Sequence, residues 1–176
     1  MKSVDALLMG RYRAPAAKKS PYITREGYLR LQQEEKAIWK RRREVTAALT
    51  AAAAEGDRSE NAEYIYRKKE LREIDRRIRY LQKRMPDLKV IDLVPDDPEA
   101  IFFSAWVTLE DSDGNESNYR IVGPDEFDVE PGYISMDSPM AKALFKHSID
   151  DEVTVQTPAG NQLYLVTDVR YDSTSN

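Results

Sequence analysis

The sequence predicts an α+β protein of two unlike halves: an N-terminal antiparallel α-helical coiled-coil hairpin and a C-terminal small antiparallel-sheet domain. Three observations predict it. Apolar residues from Tyr28 to Met85 recur at alternating spacings of three and four, the period of a helical seam, with one break at Gly56. From Ile101 onward the period shortens to that of half-buried strands. Charge divides where the period does. Residues 1–85 carry 22 Lys/Arg against 12 Asp/Glu, a net of +10, whereas residues 86–176 carry 5 against 19, a net of −14.

Residues 1–20 lack periodicity and read as a flexible N-terminal arm. The hairpin is expected over 21–95. Thr24 offers an N-cap, with Glu26 in the first turn. The first seam runs Tyr28, Leu31, Ile38, Val45, Leu49, Ala52, with Glu35 and Arg42 in the two remaining slots, where polar residues weaken a seam but fix its register. The second runs Tyr64, Arg67, Leu71, Ile74, Ile78, Leu81, Met85, and Pro86 ends the helix. Two such helices joined by a short break are antiparallel neighbours, and each reaches about 40 Å at 1.5 Å per residue. The sequence holds no further long helix to complete a bundle, so most of the hairpin stands in solvent. That is a costly way to build a core, and it makes sense if reach is the purpose.

The globular domain is expected over 96–176, after a linker at Asp96-Asp97-Pro98-Glu99. Ile101–Leu109 and Tyr119–Val122 are β-rich, with Asp113-Gly114 as their hairpin turn. Tyr133–Met136 is a short strand. Ser138 and Pro139 start a short helix as N-cap and N1. Val153–Thr157 and Leu163–Val169 are two more strands, joined through Pro158-Ala159-Gly160-Asn161. Trp106, Phe102 and Phe103 fit core or half-core strand positions, and His147 a surface site near the end of the short helix.

Composition excludes several functions. There is no cysteine, which removes disulfides and thiolate metal sites. The single histidine, His147, rules out a histidine-rich metal centre. Ala6–Met9 is too short for a signal-peptide core, and no apolar run approaches a membrane span, so a soluble cytoplasmic protein is expected. A basic half suits a polyanion such as nucleic acid.

The chemistry concentrates at the bend, Glu55-Gly56-Asp57-Arg58-Ser59-Glu60-Asn61. Asp57 and Glu60 have the spacing of an N-cap and its N3 partner, so they can simply start the second helix. They can equally serve as metal ligands: they sit at the end of a long arm, Ser59 and Asn61 add oxygen donors, and the arm behind is basic. Mg²⁺ uses one or two carboxylates together with substrate phosphates, so such a pair is half a site that needs a partner. Behind it, Arg67, Lys68, Arg72, Arg76, Arg79 and Lys83 lie along the second helix. Four of them, Arg72, Arg76, Arg79 and Lys83, form one stripe that can track a phosphate backbone or be a solvated face neutralised by Glu70, Glu73 and Asp75.

Gly-Asp-Arg-Ser-Glu-Asn-Ala-Glu-Tyr at 56–64, followed by Leu-Arg-Glu-Ile-Asp-Arg-Arg-Ile-Arg-Tyr-Leu at 71–81, resembles the Gre family of bacterial transcript-cleavage factors, in its GreB branch. Ile-Val-Gly at 121–123, Tyr-Ile-Ser-Met-Asp-Ser-Pro-Met-Ala-Lys-Ala-Leu at 133–144 and Thr-Pro-Ala-Gly at 157–160 extend the resemblance over about residues 21–172. The resemblance implies an FKBP-like C-terminal domain. It implies a monomer that docks, through the region of Asp137, Ser138 and Pro139, on the largest catalytic subunit of RNA polymerase at the rim of its secondary channel. The hairpin then enters the channel. Asp57 and Glu60 help bind Mg²⁺ at the polymerase active centre and promote cleavage of backtracked RNA, while the basic cluster contacts the RNA 3′ end. The protein is thus expected to be a cofactor rather than an enzyme.

Two other readings stay open: a channel-binding regulator without cleavage activity, against which the intact tip acids argue, and a prolyl isomerase or chaperone. The sequence departs from the family's usual pattern in its longer arm before Tyr22, in Pro86, and in the acidity of the loop at 124–132.

Overall fold

The computed structural model describes residues 18–56, 61–92 and 94–172. Strand β1 (Tyr22–Thr24) leads directly into α1 (Arg25–Ala54), and after the bend α2 (Ala62–Arg84) returns. A 3₁₀ turn (Met85–Asp87) and strand β2 (Lys89–Ile91) follow. The globular part comprises β3 (Trp106–Asp111), β4 (Glu116–Val122), β5 (Tyr133–Ser135), α3 (Pro139–Leu144), β6 (Glu152–Thr157) and β7 (Gly160–Arg170).

The hairpin follows from its seam. Thr24 caps α1 by accepting from the Gly27 N–H at 3.0 Å. Along the two helices the seam residues bury in two small clusters, Ile23, Leu31 and Leu81 near the base and Val45, Ile74 and Ile78 further out. Pro86 stops the α-helix at Arg84 but is accommodated in the 3₁₀ turn, because an early position in a turn has no N–H to lose. No feature of the sequence points to the pairing of β1 with β2. These two strands run parallel, Tyr22 beside Lys89 through Thr24 beside Ile91, and clamp the two ends of the hairpin together.

The five-stranded sheet has the order β5-β4-β3-β7-β6, antiparallel except for the β4–β5 pair. The parallel pair qualifies the expected antiparallel pattern at one edge. A bulge opposite Thr108 and Leu109 inserts Thr167 into β7. The turn at Ser112–Gly114 is closed by the Asp111 carboxylate, which accepts from the Asp113 and Asn115 N–H groups at 2.9 Å each, and Gly114 takes the left-handed conformation with φ +81°. Ser138 caps α3 through the Ala141 N–H. The core, including Ile101, Val107, Leu109, Ile121, Leu144, Val155 and Val166, lies between the sheet and α3.

The expected strand at Ile101–Leu109 begins only at Trp106. Burial alternates as a strand should from Ile101 onward, but Ser104 adopts φ 69°, and the backbone of 101–105 bonds instead to His147 and Ile121. Phe103 is buried, with the Tyr22 ring 6.1 Å away, and Phe102 is half-buried. Trp106 is half-buried between the Arg120 and Arg170 guanidinium groups, with the Tyr133 ring edge-on. His147 lies just beyond α3, and its Nδ1 is 3.3 Å from Asp151.

Hairpin and globular domain meet at the acidic loop after β4. Glu126 is 1% exposed, and its carboxylate accepts from the Thr24 N–H (2.9 Å), the Thr24 hydroxyl (2.6 Å) and the Gly123 N–H (2.8 Å). Asp125 accepts from Arg84 Nε (2.8 Å) and from the Tyr80 hydroxyl. Glu26 reaches Arg120 at 2.9 Å. Two acids that look like surface charge are therefore the joint. The stretch read as a free arm is also tied at its end: the Ser20 N–H and hydroxyl donate to Asp137 at 2.9 and 2.5 Å, and its carbonyl accepts from Arg84. Residues 1–17 lie outside the described residues.

Gly27 faces this joint so closely that a Cβ there would stand 1.8 Å from Glu126 Oε2. Helix propensity alone says that Gly27→Ala stabilises the protein by up to about 1 kcal/mol. The packing says the opposite. Urea denaturation is expected to show a loss of about 1–3 kcal/mol, as for overpacking elsewhere; an unchanged or raised midpoint would mean the joint is looser than described.

Candidate functional site: the hairpin tip and its basic flank

Every bond of the joint lies at the base of the hairpin. The opposite end is about 45 Å away at 1.5 Å for each of the 30 residues of α1. There the α1 helix ends at Ala54, Glu55 and Gly56 are exposed, and Gly56 takes φ +132°, which only glycine adopts freely. Asp57 and Glu60, the candidate ligands, lie outside the described residues together with Arg58 and Ser59.

What starts α2 is nonetheless clear. Its N-cap is Asn61, whose Oδ1 accepts from the Tyr64 N–H at 3.0 Å. The Asn61 amide also donates to the Ala52 carbonyl at 3.0 Å, tying the end of α1 to the start of α2. This corrects one reading of the bend: the N-cap of α2 is Asn61 and not Asp57. A spacing of three fits an N-cap at 57, but a carboxylate only accepts, whereas the Asn61 amide accepts from α2 and donates to the end of α1. Among the described residues no three acidic or histidine side chains converge as a metal cage.

The structure sorts the basic cluster into paired and unpaired members. Arg67 is committed to Glu63 at 2.7 Å and Glu70 at 3.1 Å. Arg77 forks onto Glu34 at 2.6 and 2.7 Å, and Arg84 belongs to the joint. On α1, Arg41 holds Glu70 at 2.6 Å and Arg42 holds Asp75 at 2.8 Å. Burial raises the Glu70 pKa, but the hydrogen bonds from Arg41 and Arg67 outweigh it and leave the carboxyl below the ordinary range. By contrast, Lys68, Lys69, Arg72, Arg76, Arg79 and Lys83 are exposed and form no ion pair with any described acid. At 100° per residue these six fall on the side of α2 facing away from the seam. Glu70 and Asp75, two of the three acids that stood to neutralise the stripe, are spent on α1. Of the residues proposed for docking, Asp137 accepts from Ser20, Ser138 caps α3, and Pro139 is exposed.

A family model described as "Transcription elongation factor, N-terminal" matches residues 21–90, and one described as "Transcription elongation factor, GreA/GreB, C-term" matches residues 96–171. The chain belongs to the GreA/GreB family. Its relatives include the transcription elongation factor GreB of Pseudomonas aeruginosa, 54% identical over 93% of this chain and 98% of the relative. GreB of Xanthomonas axonopodis pv. citri is 55% identical over 94% and 99%. Among solved structures, GreA factor homolog 1 of Thermus thermophilus is 28% identical, covering 86% of this chain and 99% of that one, with a TM-score of 0.40. Both family segments, hairpin and globular domain, are therefore present in one chain and in the family's order. Among the described residues no helix is long and apolar enough to cross a membrane.

Two measurements follow from this geometry. Asn61→Ala is expected to cost about 1 kcal/mol in thermal or urea unfolding, the usual cost of a lost cap. Asn61→Asp keeps the cap but loses the donor to Ala52, so it should fall between native and alanine. Replacing Arg72, Arg76, Arg79 and Lys83 together by alanine should leave stability within about 0.5 kcal/mol, since no partner is lost. The same variant should flatten the salt dependence of single-stranded RNA binding by about 0.7 log units per cation removed. An unchanged slope would show that the stripe does not meet RNA.

Proposed function

We propose that this protein docks its globular domain on the largest catalytic subunit of bacterial RNA polymerase, at the rim of the secondary channel. The region of Asp137, Ser138 and Pro139 takes part in the docking. The hairpin enters the channel, and Asp57 and Glu60 reach the polymerase active centre and stimulate cleavage of backtracked RNA. The observation that carries this reading is polarity of construction: among the described residues every bond between the two parts is at one end of the hairpin, and the bend whose sequence holds two carboxylates is at the other. Membership of a family of transcription elongation factors supports it.

In this reading the chain is a cofactor and has no nuclease activity of its own. Asp57 and Glu60 would hold Mg²⁺ jointly with the polymerase, and the ion would supply Lewis-acid chemistry for phosphodiester hydrolysis. The residues of this chain do the rest of the work assigned to it. Asp57 and Glu60 hold and orient from one side. Lys68, Arg72, Arg76, Arg79 and Lys83 hold the extruded 3′ segment by its phosphates, and Arg67, spent on Glu63 and Glu70, contributes mainly to the hairpin's own stability. Because Asn61 carries the cap, the two acids are free of that duty.

The test is a polymerase complex stalled in a backtracked state with 3′-labelled RNA and Mg²⁺. The native protein should release 3′ fragments. Asp57→Asn and Glu60→Gln should bind the complex with unchanged affinity while slowing cleavage at least about 100-fold, as expected for loss of a group acting at the reacting centre. Cleavage by the variants at the native rate would remove the acids from the mechanism, and binding of the native protein without cleavage would establish a non-cleaving channel regulator.

A further inference from the structure

We infer that Trp39 is a stacking platform for a base of single-stranded RNA lying along the cationic flank of the hairpin. The inference rests on the RNA-contacting reading above and extends it to a face of α1. Trp39 remains 36% exposed and joins neither of the hairpin's two apolar clusters. Its ring has the Arg42 guanidinium 5.9 Å from its centre, and that cation is itself held by Asp75 at 2.8 Å. A large flat apolar surface is thus placed beside a neutralised pair and left partly open to solvent.

The Arg42–Asp75 bond also fixes the register of the two helices. One turn toward the base from Arg42 is Trp39, and one turn toward the base from Asp75 is Arg79. At 100° per residue, Arg72 and Arg79 lie within about 60° of Asp75 around α2, on the flank that carries Trp39, with Arg79 level with it and Arg72 about 10 Å toward the tip. On α1 itself, Lys36 and Arg43 are one turn from Trp39 on either side, both exposed and in no ion pair with a described acid. The nearest uncommitted acid, Glu35, occupies a seam position and is half-buried. The opposite flank is different: there Glu34–Arg77 and Arg41–Glu70 consume their charges. An open aromatic face ringed by free cations is the arrangement that binds single-stranded nucleic acid without sequence preference, cations on phosphates and ring on base.

Trp39 is about 25 Å from Gly56 along α1. An extruded segment of about two nucleotides cannot reach it, whereas one of about ten can, even at the stacked spacing of about 3.4 Å per nucleotide. Trp39 thus serves long-backtracked RNA only.

The experiment has two arms. In the first, the full chain is irradiated with free single-stranded RNA carrying 5-iodouridine, and adducts are mapped by mass spectrometry. In the second, Trp39→Leu and Trp39→Phe are compared with the native protein at subsaturating concentration on complexes backtracked by about two and about ten nucleotides. An adduct at Trp39 is expected. Trp39→Leu should slow cleavage between about fivefold and about a hundredfold in the long complex and leave the short one unchanged, and Trp39→Phe should recover most of the loss. No adduct at Trp39, or equal rates for Trp39→Leu and native protein in the long complex, overturns the inference while leaving cleavage by the native protein standing. Equal losses at both lengths without rescue by phenylalanine also overturn it and point to a protein contact. An adduct at Trp39 with no cleavage by the native protein supports the platform and removes the cleavage reading instead.

Discussion

The structure depends on one buried carboxylate. Glu126 accepts three hydrogen bonds from Thr24 and Gly123, and those residues belong to the two different parts of the chain. An ionised carboxylate taken out of water is tolerated only when its acceptor sites are filled, so the joint has few alternative geometries of similar energy. Close backbone approach at Gly27 and Gly123 removes others, since a Cβ at Gly123 would stand 2.2 Å from the Tyr22 carbonyl. Rigidity here matters because of leverage: a rotation of about 10° at the joint would move a tip 45 Å away by about 8 Å. A hairpin that works by reach has to be aimed, and the aiming is done by the residues furthest from the tip.

Beyond the joint the hairpin has little apolar core to rely on. Its two clusters are small, and the flanks of the seam are laced by Arg41–Glu70, Arg42–Asp75 and Glu34–Arg77. Such exposed pairs add little to stability, so their larger consequence is the sorting of charge. Acids on α2 that could have neutralised the free stripe are drawn to α1 instead. The side of α2 that faces away from the seam keeps six exposed cations in no ion pair with a described acid and the single acid Glu73, an excess of like charge that does not favour folding.

How much of this was legible in the sequence follows from the range of the interactions involved. The seam, the Thr24 and Ser138 caps and the Asp113-Gly114 turn are local patterns, and each is where its spacing puts it. The β1–β2 pair was not legible: two three-residue strands carry no period, and their partners are separated by the whole hairpin. Nor was the burial of Asp125 and Glu126, because an acidic loop reads as solvated until Thr24, Tyr80 and Arg84 are brought to it from across the fold. At the bend, spacing favoured Asp57 as a cap, whereas the Asn61 amide bonds to both helices. Of the basic residues, the spacing shows the stripe but not which acids are drawn off it: Glu70 and Asp75 stand near the stripe in sequence and pair instead with Arg41 and Arg42, about 30 residues away.

The field at the tip completes the physical picture. In an antiparallel hairpin the C-terminus of α1 and the N-terminus of α2 meet, so their macrodipoles largely cancel there. The local potential is then set by side chains, and between Glu55 and Glu63 the sequence has four acids and one arginine. An acidic tip therefore crowns a basic shaft. In the proposed function, a phosphate backbone along the shaft meets like charge at the tip unless a divalent cation stands between the carboxylates and the phosphates. Two carboxylates alone bind such a cation weakly, whereas a phosphate on the other side adds the missing oxygens. Under the proposed function, such a pair acts only where phosphate oxygens and further metal ligands are supplied by a partner, which is why the reading assigns the chain the part of a cofactor.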